Sequence, residues 1–245
     1  MLEKDISELK GTASVDIKSG KKIVGLKSTS YREYLAARVL MNNNFVQQGV
    51  ILMNTCLEKQ IKAYLLTRGC KINIQHNCDK LLTLLNQKYK ELNLHLNQDF
   101  FKTISKVYLS RYYEQLNPGY NFVILRRKFL AEFDYIFPIL DRLVTIKLEL
   151  NKTAESLYEM DRIANNQNLF TENYILNKWD KTEFLQQRDF VHEFRILNNH
   201  GILEALYTTD KSQNDNIFLY KALVPSDLEG KSYTTSHPST GPENR

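Results

Sequence analysis

Apolar residues recur at steps of three and four from Val46 to Tyr64, through Val50, Met53, Leu57 and Ile61, which is the period of one helical face. The pattern predicts a helix over residues 45–68. Gly69 stands where a left-handed C-terminal cap wants a glycine, and Lys62 and Arg68 lie near the negative end of the helix dipole. Upstream, Tyr31, Tyr34, Leu35 and Val39 approach helical spacing behind the candidate caps Ser28 and Ser30, so residues 31–42 are expected to be helical until Asn42-Asn43-Asn44 interrupts them. Downstream, Leu81, Leu84, Leu85 and Tyr89 mark another helix. Phe100, Ile104, Val107, Tyr108 and Arg111 mark the next, stopped by Asn117-Pro118-Gly119. A long helix is expected from about Phe122 to Leu150, with Phe129, Phe133, Ile136, Leu140 and Leu143 turned inward. Pro138 should kink it, because proline removes a donor and crowds the carbonyl of Asp134.

Elsewhere the period shortens to two. Val15 and Ile17, then Ile23, Val24 and Leu26, flank Ser19-Gly20 and predict an N-terminal hairpin. After an initially helical and then irregular stretch over 151–187, the segments DFVHEFRIL, ILEALYTT and IFLYKALV predict three strands in meander order. Such a ribbon is marginal alone, so the hairpin is expected to join it. The fold class expected is therefore mainly α: an antiparallel helical bundle with a small antiparallel β extension. Four regions follow: a hairpin and tail over 1–27, the bundle over 28–150, an α/β extension over 151–228, and a Ser-, Thr- and Pro-containing tail over 229–245 that lacks apolar periodicity and is expected to be disordered.

Composition narrows the class without fixing a function. The chain has 245 residues, 42% of them hydrophobic and 25% charged, enough for a sizeable core, and no apolar run long enough for a membrane span. The N-terminus carries acidic residues and no apolar signal region, and the three cysteines lack a CxxC spacing, so a reducing cytoplasmic setting is expected. Cys56 should lie in the core. Cys70, His76 and Cys78 match no usual zinc-ligand spacing, and no metal or other cofactor is expected. A net charge of +5 tolerates nucleic acid without demanding it. Lys21-Lys22 and Arg126-Arg127-Lys128 read as solvated faces rather than phosphate sites. Gly-rich phosphate loops, HExxH and GxSxG are all missing, which disfavours kinase and common hydrolase chemistry.

Three short motifs change this picture. They are QQGVILMNTCLEKQIKAYLLTRG with Glu58, Lys59, Lys62 and Ala63; HNCDKLLTLL with His76 and Asp79; and VYLSRYYEQLNP with Arg111. In this order and spacing, residues of about 30–145 resemble the HEPN superfamily of small α-bundles found beside nucleotidyltransferases, in toxin–antitoxin pairs and in phage defence. The resemblance implies a homodimer, RNA or a nucleotide as ligand, and a nucleotidyltransferase or antitoxin as a further partner.

Many HEPN proteins are metal-independent ribonucleases that use an Arg and a His a few residues apart. Imidazole can move the 2′-hydroxyl proton while guanidinium stabilises charge developing on the phosphate. Arg111 has no such histidine. Arg195 and His200 satisfy the bare spacing and are the candidate catalytic pair, although the plainer reading is a strand arginine followed by a turn histidine. Arg188 and His192 stand one residue too close. For ligand binding the candidates are Glu58, Lys59 and Lys62, bordering a groove, and Arg111 with Tyr112 and Tyr113, where guanidinium beside aromatic rings suits phosphate and base stacking. Their plainer readings are an i,i+4 ion pair and a structural Arg–Tyr cluster. The expectation is a non-catalytic binding or regulatory module of nucleic-acid or nucleotide processes. A HEPN ribonuclease and a protein-recognition scaffold are the alternatives.

Overall fold

The computed structural model describes residues 17–72, 77–92, 96–145, 156–197 and 201–209. Helix α1 (Ile17–Asn42) leads through Asn44, in the left-handed region at φ 63°, into α2 (Val46–Thr67). Then follow α3 (Cys78–Lys88), a 3-10 turn, α4 (Gln98–Leu109), a second 3-10 segment at Ser110–Gln115, strand β1 (Asn121–Leu125) and α5 (Arg126–Leu143). Short helices α6 (Leu157–Ile163), α7 (Gln167–Phe170) and α8 (Lys181–Gln186) precede β2 (Asp189–Ile196) and β3 (Ile202–Thr209).

The central stripe is buried as its spacing predicts: Val46, Val50, Met53, Leu57, Ile61 and Tyr64 all lie in the core, and α2 touches α1, α3, α4 and α5. Its end is a Schellman motif. Gly69 at φ 70° donates to Leu66 O at 3.0 Å, and Cys70 N donates to Leu65 O at 3.0 Å. Asn77 and Asn97 cap α3 and α4 by accepting from Lys80 N and Phe100 N. At Gly49 the first two helices approach so closely that a Cβ would lie 2.8 Å from the Met41 side chain and 3.2 Å from Ala37 O.

Two expectations are corrected. The predicted N-terminal hairpin does not form from Ile17 onward, because α1 runs unbroken through Gly20 and Gly25. Its inward face carries Ile23, Ser30, Tyr31, Tyr34, Arg38 and Met41, and the polar members hide the helical period. Docking on α2 then overrides the weak propensity of the two glycines. The strand that joins the sheet is instead β1, which the sequence reading had merged into a helix starting at Phe122. Phe122 pairs with Phe194 and Leu125 with Val191 in an antiparallel ladder, β2 pairs onward with β3, and the order is β1-β2-β3. Phe122, Ile124 and Phe194 press one sheet face onto the bundle, while Val123, Leu125 and Val191 cluster on the other. The third meander segment, IFLYKALV, and the tail over 229–245 lie outside the described residues.

Arg126-Arg127-Lys128 is the second correction. Rather than a solvated face, the run is largely buried at the start of α5. Three cations at the positive end of a helix are unfavourable by themselves. Asp189 offsets them, accepting from Arg126 Nε at 3.2 Å, as does Glu172, 2.6 Å from Arg127 Nη1.

A buried polar knot ties the segment after α6 to the bundle. The Arg38 guanidinium donates to both carboxylate oxygens of Asp134 on α5 and to the carbonyls of Asn168 and Thr171. Tyr34 donates to the same carboxylate at 2.7 Å. Burial pushes the Tyr34 phenol well above its usual range, so it stays a donor.

Candidate nucleic-acid interface

On α2, Glu58 and Lys62 stand one turn apart and form an ion pair at 2.6 Å. Lys59, one residue on, is rotated about 100° around the helix and reaches the other way. It pairs with Glu33 of α1 at 2.7 and 2.8 Å. The three residues nominated together therefore separate, with Lys59 facing α1 and the Glu58–Lys62 pair on another side of α2.

The α4 side brings its own chemistry. Arg111 Nη1 donates to the Tyr108 hydroxyl at 2.9 Å, and the guanidinium lies 4.9 Å from the Tyr108 ring centroid and 5.8 Å from that of Tyr112. Burial raises the Tyr108 phenol, Arg111 opposes that shift, and the Glu58 carboxylate adds to it. Tyr112 breaks the 3-10 segment with non-helical angles, φ −113° and ψ 44°. Its ring is 46% exposed and that of Tyr113 39%, next to the equally open Leu109. Gln47 of α2 donates to Ser110 Oγ at 2.8 Å and pins the start of the segment.

Two residues that the sequence reading passed over form a second cation–ring pair at the end of α4. Lys106 Nζ sits 5.1 Å from the Tyr120 ring centroid, while the Tyr120 hydroxyl donates to Lys106 O at 2.8 Å. Burial lowers the Lys106 ammonium and pushes the Tyr120 phenol up to about 12. The signal for Lys106 was its place on α4 before Arg111. Tyr120, between the Asn117-Pro118-Gly119 stop and the apolar run from Phe122, carried no local signal of its own.

Arg195 lies apart from this chemistry. It pairs with Asn121 and Leu203 in the sheet, on the face opposite Phe194, with Nη2 3.4 Å from Glu193. His200 lies outside the described residues, as does His76. His192 is buried, with Nδ1 2.9 Å from the Glu204 carboxylate. Among the described residues there is no cluster of three or more His, Cys, Asp or Glu side chains able to hold a metal ion, and no helix long and apolar enough to cross a membrane.

The sequence model of the HEPN domain family matches residues 26–131, from within α1 to the first turns of α5. This part of the chain is a HEPN domain. Neither a curated protein nor a solved structure matches the chain significantly. The HEPN domain contains Glu58, Lys59, Lys62, Arg111, Tyr112 and Tyr113, and its helical architecture is the one seen here. Arg195 and His200 fall outside the matched span. Within the HEPN domain, the nearest histidine to Arg111 along the chain is His95.

Proposed function

We propose that the HEPN domain is a non-catalytic module that binds single-stranded RNA along the strip formed by Lys62, Arg111, Tyr112 and Tyr113. The observation that carries this reading is the Arg111 guanidinium lying against the Tyr108 and Tyr112 rings, with the exposed Tyr113 next in the chain. Open aromatic faces accept unstacked bases of any identity, and a guanidinium beside them accepts phosphate oxygens. Duplex RNA hides its bases and offers those rings nothing to stack on. No histidine follows Arg111 along the chain at the short spacing of the HEPN Arg–His pair, which supports binding over cleavage at this strip. A second copy of the chain is the expected partner, and light scattering on the purified protein tests for it.

Incubating the protein with total RNA in EDTA separates this reading from its rival. Retarded but intact RNA is the expected result. Cleavage lost on Arg195→Ala and His200→Ala would instead establish a metal-independent ribonuclease.

A further inference from the structure

The turn between α1 and α2 leaves a large ring open to solvent. Phe45 is 58% exposed, and Leu109 at the end of α4 is 47% exposed, beside the open Tyr112 and Tyr113. Phe45 holds the N-cap position of α2, where Ser, Thr, Asp or Asn would bond the first turn and a phenyl ring bonds nothing. Its backbone is fixed from both sides all the same. The Phe45 N–H donates to Leu40 O at 2.9 Å, its carbonyl accepts from Gly49 N at 2.9 Å, and Asn44 before it is left-handed. The ring therefore sits on a rigid turn, and little backbone ordering is left to be done when something binds it.

One bond ties this turn to the Arg111 strip. Gln47 Nε2 donates to Ser110 Oγ at 2.8 Å. Phe45 stands two residues before Gln47 and Tyr112 two residues after Ser110, so each lies within about 7 Å, along the chain, of a residue making that bond. Asn43, Asn44 and Gln48, on either side of Phe45 in the chain, are exposed amides. No acidic residue stands between Tyr34 and Leu57, so a phosphodiester backbone meets no carboxylate of this segment as it crosses the turn.

We propose that Phe45 is a further stacking contact for the same single strand. The ligand is then an RNA whose unpaired run reaches from the Arg111 tyrosines, past Leu109 and the Gln47–Ser110 bond, to the α1–α2 turn. This rests on the reading of the strip as RNA-binding. Separate rings suit bases taken one at a time, and amides suit the Watson–Crick edges of splayed bases. A protein partner would bury a continuous apolar centre, which the amides around Phe45 interrupt.

The test is fluorescence anisotropy of end-labelled oligouridylates on the full chain in EDTA. One is about 12 nucleotides long and the other about 3, the first within and the second below the usual site size of a single-strand-binding fold, about 4–16 nucleotides. Phe45→Ala weakens the longer strand about tenfold and leaves the shorter, seated on the Arg111 cluster, unchanged. Phe45→Tyr binds the longer strand as the wild type does, whereas Phe45→Leu loses affinity like Phe45→Ala, because stacking needs a ring rather than apolar bulk. Phe45 is exposed, so these variants keep the fold, which Tm checks. Arg111→Ala and Tyr112→Ala weaken both strands. If they do so while Phe45→Ala binds the longer strand with wild-type affinity, the proposal is overturned and the strip stands. If all three variants bind both strands like the wild type, the strip reading fails and the proposal with it. Equal weakening of both strands by Phe45→Ala also overturns it. So does a changed oligomeric state of that variant in light scattering, which would make the turn a contact between copies.

Discussion

Removing the Asp134 carboxylate should be more damaging than removing the Arg38 guanidinium that it binds. In Asp134→Ala the guanidinium stays fully buried with only the Asn168 and Thr171 carbonyls, and Tyr34 loses its acceptor. Arginine cannot shed its charge inside a protein, so the loss should approach the full value for a broken buried pair, about 3–5 kcal/mol. At about 2–4 °C per kcal/mol for a chain of this size, Tm falls by roughly 6–20 °C. Arg38→Met is gentler, because Asp134 can take up a proton. Burial is the largest influence on that carboxyl and already raises it above the usual carboxylate range. With the guanidinium gone, the folded form prefers the protonated acid still more. The stability of Arg38→Met is then fully present below about pH 4 and is lost as pH rises through the raised folded value. Asp134→Ala lacks this group and shows no such slope from it. Urea unfolding of both variants between pH 4 and 7 reads the difference. The reasoning is refuted if Asp134→Ala costs less than about 1 kcal/mol, or if Arg38→Met gains no stability relative to Asp134→Ala on acidification.

Gly49→Ala should destabilise by about 1–3 kcal/mol through overpacking, despite alanine's better helix propensity, because its Cβ would press on Met41 and Ala37 O. Met41→Ala in the same chain should offset part of that loss, read as a non-additive urea midpoint. Gly69→Ala has open space around it but a φ of 70°, so the expected cost is only about 1 kcal/mol from backbone strain. Tyr120, pushed up to about 12, ionises later in the folded than in the unfolded chain. Its contribution is intact below about pH 10 and is lost as pH rises through 12. Tyr120→Phe should flatten that part of the alkaline unfolding profile, and an unchanged profile contradicts the assignment.

How much of this was legible in the sequence depended on which side chains face inward. The α2 stripe could be read because its apolar positions keep an unbroken step of three and four, even with Asn54, Glu58, Gln60 and Thr67 buried beside them, and Gly69 marked its end. In α1 the inward positions include Ser30 and Arg38, whose partners Cys56 O and Asp134 come from distant segments, so no local pattern announces the helix. β1 is a short continuous apolar run, which periodicity cannot separate from the first turn of a buried helix. Pairing with β2 decides it. Arg126-Arg127-Lys128 looked solvated because Glu172 and Asp189 lie far along the chain. At the interface, Arg111-Tyr112-Tyr113 was readable as adjacent chemistry. The Gln47–Ser110 bond that pins this segment was not, since it depends on how α2 packs against α4.

The account depends most on Arg111 and its tyrosines gripping RNA without cutting it. Fluorescence anisotropy of an end-labelled single-stranded RNA in EDTA, repeated over a salt series, tests this directly. Binding should weaken steeply with salt, and Arg111→Ala should reduce the salt slope by about one phosphate contact. Tyr112→Ala should weaken binding by about 1–3 kcal/mol at every salt concentration, with the oligonucleotide recovered intact. Equal affinity in wild type, Arg111→Ala and Tyr112→Ala, or a shortened oligonucleotide, contradicts the account.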